Sequence, residues 1–215
     1  MHKQKTETLI QALDLEKIDI EPGFELEVRQ KHLEGKGKEL LNEVYTELGG
    51  NDKSPILGRL KIDFKVGRHF FVYDDAYHFN RYRLQTLKSA VYSVFNFQWK
   101  TQYLRLCRSH ERECLLSGLQ ERIWEGPPLA GQCFGRSEEP GDLSGNGSSG
   151  WKLNAYNDVQ YDLISRLQGY RIIRIPAYEN LMIGGSLKKI DQLLLSPNEA
   201  TLKAIATWLL RKTAH

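Results

Sequence analysis

The stretch between residues 56 and 75 constrains this chain more than any other. Leu60, Ile62, Phe64 and Val66 alternate with Arg59, Lys61, Asp63 and Lys65, the pattern of a strand with one buried and one wet face. Gly67-Arg68 interrupts the alternation, and His69-Phe70-Phe71-Val72-Tyr73 follows as a second apolar, β-prone run. Two such runs around a short link containing glycine predict a β-hairpin. The return strand runs directly into Asp74-Asp75.

Helical spacing surrounds this hairpin. The first 50 or so residues read as helical: a short segment over 6–15, a break at Pro22-Gly23, and a longer helix over 26–48, weakened by Gly35 and Gly37. Helical periods resume from Arg81 through Val94, and a further helix is expected over 98–116. Between Gly126 and Gly150 prolines and glycines accumulate, and the segment reads as a long irregular loop. A helix over 153–167 stops at Gly169, a strand over 170–175 closes at Pro176, and two helices are expected over 186–195 and 198–212. Taken together, this is one α/β domain over 1–215: a mixed central sheet with a β-hairpin, flanked by helices.

Composition narrows the class. Hydrophobic residues are 40% and charged residues 27% of the chain, an ordinary globular balance. No apolar run approaches the ~20 residues that span a bilayer, and the opening MHKQKTETLIQALDLEK is too polar for a secretory signal. A cytoplasmic protein without membrane partners is expected. Three scattered cysteines, Cys107, Cys114 and Cys133, do not make a disulfide framework. Net charge is +3 with a pI near 8.6, short of the pI above about 9 of a dedicated nucleic-acid-binding domain, although Arg81, Arg83 and their neighbours up to Arg112 form a basic cluster. That cluster is either a nucleic-acid contact or a solvated helix face.

The hairpin is also where chemistry concentrates. Asp63 lies on the polar phase of the first strand, and antiparallel pairing carries Asp74 or Asp75 back towards it. Carboxylates converging at a sheet edge repel unless a cation joins them, and an all-oxygen donor set suits Mg²⁺ or Mn²⁺. Such an ion activates water and stabilises charge on a phosphodiester. The plainer alternative is that Asp63 faces solvent and the aspartate pair caps the next helix. His78, shortly after the pair, is either a proton relay or a packed surface ring.

Asp63-Phe64, then after seven residues Val72-Tyr73-Asp74-Asp75-Ala76-Tyr77-His78-Phe79, resembles the hairpin of the very-short-patch-repair endonuclease branch of the restriction-endonuclease-like PD-(D/E)XK superfamily. Trp151-Lys152, Asn157, Asp158, Asp162 and Gly169-Tyr170-Arg171-Ile172-Ile173-Arg174-Ile175 are similar to that branch's late helix and strand. The two pieces cover about a third of the chain, in the family's order. The resemblance implies a restriction-endonuclease-like fold, with Asp63 as principal metal ligand and Asp74 at the active position of the second strand. It further implies that His78 assists proton transfer and that Asp158 or Asp162 completes the site. The second strand lacks the Glu-x-Lys signature. A competing register takes Asp63-Phe64-Lys65 as the signature element, with Asp52 as the earlier aspartate. Glu39 and Glu43 are candidates for the glutamate that often precedes this core.

Other groupings carry less. Cys107, His110 and Cys114 share a helical face and Cys133 lies downstream, but the spacing matches no standard zinc module, so zinc is disfavoured. The loop over 135–150 lacks the closing Gly-Lys-Ser/Thr of a phosphate loop, although Asp142, Ser148 and Lys152 lie in or beside it. Aromatic and basic residues interleave over 77–83 and 97–100, a mixture that can stack bases and neutralise phosphates or simply pack a core. The expectation is a metal-dependent endonuclease with Asp63, Lys65, Asp74, Asp75, His78 and Asp162 in catalysis. Asp63, Asp74 and Asp158 are the expected metal ligands, and Arg81, Arg83 and Lys152 the nucleic-acid contacts. DNA is favoured over RNA through the resemblance alone. The alternatives are a non-catalytic nucleic-acid-binding or protein-interaction module on the same fold, and a zinc-stabilised structural protein.

Overall fold

The computed structural model describes residues 1–119, 121–137 and 147–213. The chain begins with α1 (His2–Leu15), β1 (Glu21–Pro22), β2 (Glu25–Glu27), α2 (Lys36–Glu47), β3 (Arg59–Lys61), β4 (Phe64–Val66) and β5 (His69–Asp74). Then come α3 (Arg81–Thr86), α4 (Val91–Val94), α5 (Lys100–Ser109), α6 (Glu111–Ser117), α7 (Pro128–Phe134) and α8 (Ser149–Leu167). The chain ends with β6 (Arg171–Pro176), β7 (Asn180–Ile183), β8 (Ser186–Lys189), α9 (Ile190–Leu195) and α10 (Glu199–Thr213). The fold is α/β, with a mixed sheet flanked by helices. Contacts group the chain into two compact units, one of residues 1–26, 61–75 and 169–215, the other of residues 27–60 and 76–168.

The first unit holds a four-stranded sheet in the order β1-β4-β5-β6. Strand β4 runs antiparallel to both β1 and β5, and β6 pairs with β5 in parallel, Phe71 opposite Ile173 and Tyr73 opposite Ile175. The expected hairpin is present as β4–β5. Its two-residue turn places Val66 opposite His69, and Gly67 takes a φ of +55°, as the first position of such a turn demands. The sheet buries Phe64, Phe71, Tyr73, Ile173 and Ile175 with Leu9 and Leu13 of α1, Leu194 of α9, and Leu202, Ile205 and Leu209 of α10. Phe64 and Phe71 stack with centroids 4.6 Å apart.

The second unit is helical. Fourteen of the nineteen residues of α8 are buried, which marks it as the central helix of the unit. Helices α2, α3 and α7 lie against it.

Several local expectations are corrected. The first strand breaks at Ile62-Asp63, because Ile62 N–H donates to Phe24 C=O and Asp63 C=O accepts from Gly23 N–H. The helix expected over 26–48 begins only at Lys36, after a Gly35 with φ +70°. The helix expected over 98–116 is divided at His110 into α5 and α6. Residues 186–189, expected in a helix, are strand β8, because Gly184-Gly185 (φ +58° and +78°) turns the chain back on β7. Residues 128–134 of the expected glycine loop are helix α7. Its part over 138–146, including Asp142, lies outside the described residues.

Because Phe71 is the stacked centre of the first unit's core, Phe71→Ala is expected to cost about 3–5 kcal/mol in urea unfolding. A loss below about 1 kcal/mol would contradict this packing.

Candidate functional site

Strand parity divides the two aspartates that follow Tyr73. Side chains alternate across a strand, so Asp74 shares its face with Val72, while Asp75, just past the strand, continues the phase of Phe71 and Tyr73. Arg174, opposite Val72 on β6, meets Asp74 on that first face. Its Nη1 donates to Asp74 Oδ1 and Oδ2 at 2.9 and 2.8 Å, and both side chains are fully buried. Asp74 is thus held as one half of a buried ion pair.

Asp75 and Asp63 meet on the other face, against α1. Asp63 Oδ2 accepts the Tyr73 backbone N–H at 2.7 Å, a bond permitted by the break in the strand at Asp63. His2 stands between the two carboxylates. Its Nδ1 lies 2.7 Å from Asp75 Oδ2 and its Nε2 lies 3.1 Å from Asp63 Oδ1. A ring with a carboxylate on each nitrogen must donate from both, so it is an imidazolium. One turn along α1, Lys5 donates to Asp75 Oδ1 at 3.0 Å and to Asp191 Oδ1. Asp191, in the first turn of α9, also accepts the Tyr73 hydroxyl at 2.6 Å. Three carboxylates therefore face two cations, which leaves one negative charge uncompensated within the cluster.

The electrostatics follow this geometry. The hydrogen bonds from His2 to Asp63 and to Asp75 outweigh the burial of the ring and raise its pKa from 6.5 to about 10. Burial works against the Asp75 carboxylate, but the bonds from His2 and Lys5 prevail and hold its pKa below the ordinary 3.8. Burial also opposes the Lys5 ammonium, and its bonds to Asp191 and Asp75 hold its pKa above 10.5. Burial first, and then the Asp191 contact, push the Tyr73 phenol far above its ordinary value. A groove of about 480 Å³ opens beside His2 and Asp63, lined also by Lys3, Glu7, Gly23 and Lys61.

The remaining expected residues lie elsewhere. Lys65 is ion-paired with Glu21 and its Nζ sits 4.7 Å from the Phe24 ring centroid, apart from the His2 cluster. In the second unit, His78 Nδ1 is 3.0 Å from Asp158 Oδ2. Arg83 Nη2 donates to Asp162 at 2.8 Å and its Nη1 to the Tyr92 hydroxyl at 2.7 Å. Arg81 forms a two-pronged bond with Glu111 at 2.9 and 3.0 Å. Arg83 and Lys152 are buried, so neither presents its charge at a surface. Glu39 and Glu43 are exposed on α2, and Asp52, of the competing register, belongs to the second unit. Cys114 donates to Tyr77 C=O at 3.2 Å, and burial pushes its thiol up to about 12, which keeps it protonated and unlike a metal thiolate.

A profile described as a family of unknown function, DUF7255, matches residues 43–196. The chain belongs to the DUF7255 family. The matched region of this DUF7255 protein takes in Asp63, Asp75 and Asp191, while His2 and Lys5 precede it. Comparison with curated proteins and with solved structures gives no match.

His2, Lys5 and Asp191 are the members of the cluster that sequence reasoning missed. The available signal was the spacing of His2, Lys5 and Leu9, which shares one face with the core residues Ala12 and Leu13.

Because the folded pKa of His2 is raised, its contribution to stability is complete below pH 6.5 and is lost as pH climbs towards about 10. Asp75, with a lowered pKa, contributes above pH 3.8 and loses that contribution as pH falls. The stability gap between wild type and His2→Ala is therefore expected to be widest between these limits and to close in alkali. An NMR titration of the His2 ring should find its midpoint near 10; a midpoint near 6.5 would mean that the bridge is not formed.

Proposed function

We propose that this DUF7255 protein is a divalent-metal-dependent nuclease on the restriction-endonuclease-like plan, hydrolysing phosphodiester bonds of nucleic acid, DNA in preference to RNA. One observation carries the reading. Asp63 and Asp75, from the two arms of one hairpin, flank a single position in a cluster with an uncompensated negative charge. The chain order of hairpin, long helix and a strand that joins the return arm in parallel supports the same plan.

The donor set is of the right chemical kind for Mg²⁺ or Mn²⁺, since both carboxylates offer hard oxygens. The position between them is held by the His2 ring, so Asp63 and Asp75 would hold an ion once that ring turns outward. When bound, the ion would supply Lewis-acid stabilisation of phosphodiester charge and a more acidic water. Lys5, fixed between Asp75 and Asp191, presents an ammonium that stays protonated and can offset charge developing on the phosphate. Asp191 and the Tyr73 hydroxyl keep that ammonium in place. The groove beside His2 and Asp63, with Lys3 and Lys61 on its walls, gives a backbone a path to Asp63.

Wild-type protein is expected to nick supercoiled plasmid with Mg²⁺ or Mn²⁺ and not with EDTA. Asp63→Asn and Asp75→Asn should abolish nicking, and Lys5→Met should slow it by roughly 10²–10³-fold. Asp74→Asn should weaken the fold through its buried partner Arg174, yet leave nicking by the folded fraction in place. No nicking by wild type, or equal nicking by the Asp63 and Asp75 variants, would overturn the reading. Nucleic-acid binding without cleavage would favour the non-catalytic module.

A further inference from the structure

The hairpin β7–β8 projects an unusual surface. Its two-residue Gly184-Gly185 turn sets Met182 opposite Leu187 and Asn180 opposite Lys189, so these four side chains share one face. Met182 and Leu187 are 62% and 67% exposed, an apolar pair side by side on one ribbon face. The opposite face anchors the ribbon: Leu181 is buried and Ile183 packs on the core. At the base, Ile190 N–H donates to Glu179 C=O at 2.8 Å. A core-anchored ribbon that exposes an apolar pair is a contact surface.

Charge points to the partner. From residue 180 to residue 190 there is no acidic side chain, while Lys188 and Lys189 are both exposed. Two residues beyond Lys189, Asp191 joins the Lys5–Asp75 cluster, so the ribbon springs directly from the candidate site. A two-stranded ribbon fits the major groove of duplex DNA, where lysines meet phosphates, asparagine reads base edges and apolar side chains meet thymine methyls.

We propose that β7–β8 is a DNA-engaging finger, laying Asn180, Met182, Leu187 and Lys189 into the groove of a duplex whose backbone reaches Asp63 and Asp75. The proposal rests on the nuclease reading for the polymer at the site, but its test does not depend on cleavage. Binding of a short fluorescein-labelled duplex is measured by anisotropy in EDTA, with Asp63→Asn as the parent. Adding Met182→Ser with Leu187→Ser is expected to weaken binding about 10-fold, a change typical of a lost base-edge contact. Adding Lys189→Ala should lower the slope of log affinity against log salt by about 1. Met182, Leu187 and Lys189 are all exposed, so thermal melting should match the parent; a melt that drops moves the test to the single variant Leu187→Ser, with the same expectation of weaker binding.

Unchanged affinity and salt slope in these variants would overturn the finger. So would loss of a dimer in sedimentation without loss of duplex binding, which would assign the ribbon to a second copy of this chain. If wild type nicks DNA through Asp63 while the finger variants bind like the parent, the finger falls and the nuclease reading stands. If the finger variants lose binding but wild type never cuts, the finger stands and the catalytic reading falls.

Discussion

Mutual repulsion among Asp63, Asp75 and Asp191 governs how the first unit is built. Carboxylates removed from bulk water must be met by cations or hydrogen-bond donors, and the chain supplies them from one helix. His2 and Lys5, three residues apart on α1, are carried to the acidic cluster by the same helical phase that sends Leu9, Ala12 and Leu13 into the core. Core packing and charge compensation are therefore two ends of a single helix face. The compensation stops one charge short, and that shortfall makes the cluster a candidate for chemistry rather than a closed structural ion pair.

The contrast with Asp74 sharpens the point. It belongs to the same aspartate pair, but it is enclosed with a guanidinium that contacts both of its oxygens. Such a pair ties β5 to β6 across the sheet. Asp75 keeps partial exposure and is met by two cationic side chains, His2 and Lys5. Neighbouring residues of identical chemistry thus receive opposite tasks from the pleat of one strand.

Much of this was legible in the sequence, for reasons that are local. Alternation and the Gly67-Arg68 link announce β4–β5, and the 153–175 segment announces a helix followed by a strand, because period and punctuation act over short distances. The convergence of Asp63 with the end of the return strand follows from antiparallel pairing alone. The choice of Asp75 over Asp74 depends on register and on Arg174, a hundred residues away. The contributions of His2, Lys5 and Asp191 depend on how α1 and α9 pack, which no local pattern encodes. Residues 186–189 read as the start of a helix because Ser186–Lys189 carries no alternation of its own, and Gly184-Gly185 is the sequence cue to the ribbon.

The pleat of β5 also sets a rule of arithmetic for change in this family. Only an even number of residues between the Gly67-Arg68 turn and the aspartate pair's present position could be gained or lost with each carboxylate still on its own side. A single insertion within 69–73 would send Asp75 towards Arg174 and leave Asp74 facing His2, exchanging the buried anchor with the solvent-facing acid. Length variation in this chain should therefore gather in its loops and spare the six residues of that strand.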